Sequence, residues 1–280
     1  MTIWRLSGGL ELSFPPSLAA GVVNVTADSF YAGARSVTPE QAVEDGLRLA
    51  EQGFDLLDVG AVAARSGPAV EAEAEIAKLV PAIAGLAERS GVPVMADTFQ
   101  PEVARAALDV GAVAINDTSG GSDEMFELVA ERECGYVLMH IEGPPRVDRA
   151  PPVYDDVVSH LKEWFTARIE RAAELGVSAE QIVIDPGPDF DKSADDSIEL
   201  VGRIGELREL ERPVMAAISR KDFLGAILAG SWEGRRGTEE RGAATLAATA
   251  IATAEGAEIL RLHDREALDA MRVAEAIARG

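Results

Sequence analysis

Eight apolar runs in this 280-residue chain each end in, or carry, a polar residue able to do chemistry. GVVN ends at Asn24, LLDVG carries Asp58 and PVMAD ends at Asp97. VAIND ends at Asn116-Asp117, YVLMH at His140, and QIVID at Asp185, directly before Pro186-Gly187. MAAISRK ends at Ser219-Arg220-Lys221, and EILRLHD at Arg261, His263 and Asp264. One such ending is chance. The repetition describes the rim of an active site.

Two kinds of chemistry sit in this set. Asp97, Asn116 and Asp185 are two carboxylates and an amide, a good receptor for a flat, edge-polar heterocycle. A carboxylate accepts two parallel hydrogen bonds from an N–C–NH2 edge, and the amide offers a donor and an acceptor. Lys221 adds a cation for a ring carbonyl or nitrogen, and Met139 and Phe190 stand near strand ends, where they would face the ring. The second group is cationic: Arg65, Arg220, Arg261 and His263, types that grip phosphate oxygens. Asn24 offers an oxygen for Mg2+, which binds phosphates through few protein ligands. A heterocycle held beside a diphosphate points to group transfer with pyrophosphate leaving.

Each of these residues also has a plainer reading. A lone Asp at a strand end is more often a turn or cap residue, which suits Asp117 and Asp264. Asp58, inside its run, reads as an interior structural carboxylate. A single Arg is as readily a surface ion pair. His140 is equally a substrate-orienting group or a partner for a backbone carbonyl, and His160 carries no signal. Three scattered histidines do not suggest a metal site, and GxSxG, HExxH and zinc-ligand spacings are missing. The single Cys134 excludes an internal disulfide and reads as a packed free thiol.

Helical segments alternate with the apolar runs. Expected strands are 21–25, 55–60, 92–97, 112–117, 135–140, 181–185, 213–219 and 257–263, bounded by turn residues. Expected helices lie at 39–50, 70–88, 101–109, 123–132, 154–175 and 195–210, with two pieces across 221–256 and one closing the chain. Thr38-Pro39 and Ser122 are helix-start signals. Residues 1–18 read as a short hairpin that covers the bottom of a barrel. Eight strands each followed by a helix spell an α/β fold, a (β/α)8 TIM barrel, as a single domain over 1–280. A barrel of this kind typically uses roughly 250 residues and keeps its active site at the strands' C-terminal ends. An open doubly wound sheet would carry a Gly-rich phosphate loop after its first strand, and neither GxGxxG nor a Walker sequence is present.

Lys plus Arg number 26 against 48 acidic residues, a formal net charge of −22. A field of that sign repels nucleic acid and anionic membranes, so neither is expected as a partner. No leader-like start and no apolar stretch near the roughly 20 residues of a membrane span are seen, and a cytoplasmic protein is expected.

Six motifs are specific in combination: NVTADSF (24–30), AINDTSGG (114–121), VLMH (137–140), IDPGPDF with Lys192 (184–192), SRKDFLG (219–225) and RLHD (261–264). Over Gly21 to Asp264 the chain resembles the dihydropteroate synthases of the pterin-binding barrel family. The resemblance implies condensation of 6-hydroxymethyl-7,8-dihydropterin diphosphate with 4-aminobenzoate to 7,8-dihydropteroate and pyrophosphate, with Mg2+, in a homodimer. It assigns catalytic roles to Asp97, Asp185 and Lys221, and places Asn116, Met139 and Phe190 around the pterin. Arg65, Arg261 and His263 go to the diphosphate, Ser219, Arg220 and Asp222 to the substrate-binding SRKD stretch, and Asn24 to Mg2+.

The departures fall on the diphosphate and aminobenzoate side. The family's NVTPDSFSDGG reads NVTADSFYAGA here, with Ala27 and Ala32; GGESTRPG reads GAVAARSG, with Ala64 for a threonine. SRKSF reads SRKDF, so Asp222 stands where a serine receives the aminobenzoate carboxylate. An acid facing an acid is unfavourable unless a cation intervenes or Asp222 turns away. Two other readings compete: a pterin-binding paralogue without efficient condensation, and a methyltetrahydrofolate-dependent methyltransferase. The second needs no diphosphate site, so Arg65, Arg261, His263 and the SRK triplet speak against it.

Overall fold

In the computed structural model, residues 2–25, 36, 38–65, 67–147 and 149–280 are described. Ala27 and Ala32 lie outside them. A two-stranded antiparallel hairpin, β1 (Thr2–Arg5) and β2 (Glu11–Phe14), opens the chain. Eight parallel strands follow: β3 (Leu18–Asn24), β4 (Leu56–Gly60), β5 (Val94–Asp97), β6 (Ala114–Asp117), β7 (Gly135–Met139), β8 (Ile182–Asp185), β9 (Met215–Ala216) and β10 (Ile259–Leu262). Their order is β8-β7-β6-β5-β4-β3-β10-β9. A parallel bridge between Ile184 and Val214, with Ile184 N donating to Pro213 O at 3.0 Å, closes the ring. The fold is the expected (β/α)8 barrel.

Side-chain alternation builds its two apolar layers. One set of positions packs outward against the helices, as Val59, Ile115, Leu138 and Ile184 do. The alternate set (Ala20, Leu56, Met95, Ala114, Val137, Val183, Met215 and Ile259) fills the lower interior together with Trp4, Leu6 and Phe14. The hairpin therefore plugs the barrel bottom, and Trp4 Nε1 donates to Gln181 O at 2.8 Å to fix it.

The helices are α1 (Pro39–Glu51), α2 (Ala72–Arg89), α3 (Pro101–Asp109), α4 (Asp123–Arg132), α5 (Val157–Glu174), α6 (Ala194–Gly202), α7 (Asp222–Ala229), α8 (Gly242–Ala254) and α9 (Arg265–Arg279). Thr38 and Ser122 cap α1 and α4 through their hydroxyls as expected. Several boundaries differ. β3 begins at Leu18, not residue 21, because its first residues pair with Ile259 and Leu260 of β10. The expected strand 213–219 shrinks to two residues. The expected helix 195–210 stops at Gly202 and continues as a 3-10 stretch, Ile204–Leu210, since Gly202 and Gly205 are poor helix formers. Helix α5 starts at Val157, where Asp156 caps it through Ser159 N. Among the described residues no helix is long and apolar enough to cross a membrane.

Candidate active site

Two residues above the bottom apolar layer, the same alternation puts different chemistry on the barrel's inner face. Leu56 is followed at that parity by Asp58, Met95 by Asp97, Ala114 by Asn116, Val137 by Met139, Val183 by Asp185 and Ile259 by Arg261. Register then sets them side by side at the strand ends. Asn24 pairs with Gly60, Gly60 with Asp97, Asp97 with Asn116, and Met139 with Asp185.

The centre of this face is a charged cluster. The Arg261 guanidinium bonds Asp58 through Nε and Asp97 through Nη2, the latter at 2.7 Å. Asn116 Nδ2 donates to Asp58 Oδ2 at 3.2 Å. Burial and the neighbouring Asp58 carboxylate push Asp97 up to about 7, against the pull of Arg261. Burial likewise raises Asp185, whose Oδ1 accepts from Gly187 N at 2.8 Å, and lowers Lys221. Asp58 Oδ1 and Asn116 Oδ1 are buried and have no hydrogen-bond partner among the described residues. A buried polar oxygen left without a partner is costly unless a ligand supplies the donor.

Asp58 is the interior carboxylate expected, and it shares the Arg261 cation with Asp97. Arg261 itself, expected on the diphosphate, is committed to the carboxylates of the heterocycle group. Asp117 and Asp264 take the expected turn and cap roles: Asp117 accepts from Ser119 N at 2.7 Å, and Asp264 caps α9 through Ala267 N at 3.0 Å.

Above the cluster, the turn after β8 carries Phe190 and Lys192. Gly187 has φ +62°, and a Cβ there would meet His140 O at 2.6 Å, so only glycine fits the turn. Lys221 Nζ lies 4.5 Å from the Phe190 ring centre and donates to Pro188 O at 3.1 Å. Met139 is buried beside this turn. Burial brings Lys192 down to about 7; its Nζ contacts His140 Nδ1 at 2.8 Å and donates to Phe190 O at 2.9 Å.

Ser219 Oγ and His263 Nδ1 are 2.8 Å apart, and burial with nearby Arg261 and Arg220 lowers the imidazole to about 3. The ring is neutral. Arg220, at φ +57°, is held by Asp264 at 2.8 Å and by Thr238 O, bracing the strand ends.

Asp222 does not stand as a bare acid. Arg65 Nη1 lies 2.5 Å from its Oδ2, Arg241 Nη1 2.8 Å and Arg235 Nε 3.4 Å from its Oδ1. Burial would raise the carboxyl, but Arg65 and Arg241 outweigh it and hold it below its usual range. Asp189 also accepts from the backbone N–H groups of Asp222 and Phe223, fixing the start of α7. Trp232 carries Arg65 at 5.9 Å and Arg235 at 4.9 Å over its ring. A cavity of about 790 Å3 opens here, lined by Ala64, Arg65, Asp189, Phe190, Lys192 and Trp232 among others. It does not reach Asp97, Asn116 or Asp185. Asp189, Arg235, Arg241 and Trp232 escaped the sequence reading; their only signal was the acid–acid conflict at Asp222, which demanded a cation. Cys134 is buried and its thiol is pushed up to about 12, as a packed free thiol should be.

Comparison with known proteins gives a consistent picture. The model of the family described as "Pterin binding enzyme" matches residues 20–263. The dihydropteroate synthase of Escherichia coli (strain K12) is 34% identical over 279 residues, 99% of this chain and 96% of that one. A protein of Mycobacterium leprae named "Inactive dihydropteroate synthase 2" is 37% identical over 281 residues, 96% of this chain and 92% of that one. Two solved structures of the Xanthomonas albilineans dihydropteroate synthase superpose closely. The one with 4-aminobenzoic acid has a TM-score of 0.87 at 38% identity, covering 99% of this chain and 98% of that one. The one with 7,8-dihydropteroate has a TM-score of 0.82 at 36% identity, covering 98% of each.

Proposed function

The chain belongs to the pterin-binding enzyme family, and from that premise we propose that it is a dihydropteroate synthase. It joins a dihydropterin diphosphate to 4-aminobenzoate and releases pyrophosphate. The observation that carries this reading is the Asp97–Arg261–Asp58–Asn116 cluster on the barrel's inner face, with two buried oxygens that have no partner among the described residues.

Asp97, Asp185 and Asn116 take the heterocycle's polar edge, and Lys221 bonds a ring acceptor while Met139 and Phe190 flank the ring. As pyrophosphate leaves, positive charge grows on the pterin. Fixed carboxylates in a water-poor site stabilise that charge without reorganising. Arg65 and His263 meet the diphosphate: with Nδ1 accepting from Ser219 Oγ, the neutral His263 ring carries its hydrogen on Nε2, a donor for an anionic oxygen. Arg220 positions this group through Asp264. The aromatic amine approaches through the cavity beside Phe190, where Asp222 holds Arg235 ready for its carboxylate.

Asn24, half-buried at the end of β3, offers one neutral hard oxygen, which fits Mg2+, an ion that takes most of its ligands from water and substrate phosphates. When bound, the ion would neutralise charge on the leaving diphosphate. The same proposal includes a single domain over 1–280, a homodimer and a cytoplasmic location.

The likeness to the inactive Mycobacterium leprae protein favours one other reading, a pterin binder that does not condense. Pyrophosphate release that depends on 4-aminobenzoate separates the two.

A further inference from the structure

Three side chains outside the heterocycle and diphosphate groups converge just past the end of β7. His140 Nε2 lies 3.2 Å from Glu142 Oε1, and His160 Nε2 lies 2.7 Å from the same oxygen. The three ligand atoms all fall within 4.8 Å of one another. Donors around a four-coordinate zinc ion, each bonded at about 2.0–2.2 Å, stand about 3.4 Å apart. The three atoms already lie close to that spacing. The sequence hid this, because His160 is eighteen positions from Glu142 and only the packing of α5 on the barrel brings it back.

The surroundings suit a site rather than a chance contact. His140 is fully buried, with Trp164 4.8 Å from its ring in an edge arrangement. His160 has a 41% exposed side chain and packs against Tyr154 at 4.9 Å. One imidazole is therefore fixed and the other is open to solvent, giving a rigid wall and an entry path. Lys192 at His140 Nδ1 holds the buried ring so that Nε2 faces Glu142.

We propose that His140, Glu142 and His160 form a zinc-class divalent metal site with a fourth position open to water. Two imidazole nitrogens and one carboxylate oxygen are a recognised zinc donor set, and imidazole discriminates against Mg2+. The site is thus chemically distinct from Asn24. Glu142 and His160 bracket the 143–156 connection, of which Arg146, Val147, Arg149 and Pro151 line the cavity, so the ion would tie both ends of that wall together.

The test uses chelator-treated full-length protein in excess Mg2+, titrated with Co2+ and followed by visible d–d absorption and by tryptophan fluorescence, to which Trp164 contributes. One equivalent of Co2+ should give the intense bands of a four-coordinate ion with quenching, and Zn2+ should displace it. His160→Ala and Glu142→Gln should weaken binding by at least about 10–100-fold, the loss that even an outer-shell change brings. Circular dichroism should be unchanged, since His160 is half exposed on a helix. Wild-type protein giving no four-coordinate band, or both variants binding Co2+ as tightly as wild type, would overturn the proposal.

Discussion

Arg261 Nη2 lies 2.7 Å from Asp97 Oδ2 while the same guanidinium holds the buried Asp58, so one cation balances two carboxylates at the centre of the barrel mouth. Burial and Asp58 still leave Asp97 at about 7. Proton and heterocycle then compete for one carboxylate. Dihydropterin affinity should climb by up to about tenfold per pH unit below that value and level off above it. Asp97→Asn should flatten the profile as well as weaken binding, as calorimetric titrations across the range would show.

The same shift has a stability sign. Asp97 normally titrates near 3.8, so its folded-state value is raised. Between the two values the folded protein holds the proton more tightly, and the group's contribution is lost as pH rises through about 7. Denaturant melts of wild type and Asp97→Asn should therefore diverge, the variant losing less stability between about pH 4 and pH 7. Parallel curves would place the raised group elsewhere.

Asp185→Asn keeps the shape of the side chain, so the Gly187 turn should survive. What disappears is a buried charge facing the heterocycle, and a loss of about 2–4 kcal/mol in pterin affinity is expected. Unchanged affinity would remove Asp185 from the pocket.

Restoring the family's serine at Asp222 should harm this protein. Asp222→Ser takes the carboxylate from Arg65, Arg235 and the buried Arg241. Arg241 keeps the carbonyls of Arg236 and Arg220, so the stability loss should be about 2 kcal/mol rather than more. The KM for 4-aminobenzoate should rise with it. A variant with a lower KM and an unchanged melting temperature would contradict the arrangement seen here.

Gly187→Ala asks a side chain to adopt φ +62° and to sit 2.6 Å from His140 O. Strain of about 1–3 kcal/mol should appear in thermal melts, together with weakened pterin binding as Phe190 and Lys192 shift. A neutral result would show that the turn relaxes freely.

Much of this was legible in the sequence because a barrel strand converts position into direction. Asp97, Asn116 and Asp185 stand at the ends of apolar runs, and period-two alternation turns that position into a place on the inner face. Asp58 precedes its strand's end and is interior as expected, but only the reach of Arg261 from β10 shows which cation it holds. The Asp222 conflict pointed to a missing cation, but Arg235 and Arg241 come from a segment whose return over the barrel is a long-range fact. His160 was invisible for the same reason. Boundaries slipped where tertiary pairing overrode local preference, as where β3 starts early against β10.

Pyrophosphate release from 6-hydroxymethyl-7,8-dihydropterin diphosphate, with and without 4-aminobenzoate at millimolar Mg2+, tests the synthase reading most directly. Release that requires the aminobenzoate and falls steeply in Asp185→Asn is the predicted result. Folded wild-type protein that binds the pterin yet releases no pyrophosphate with both substrates present would contradict it.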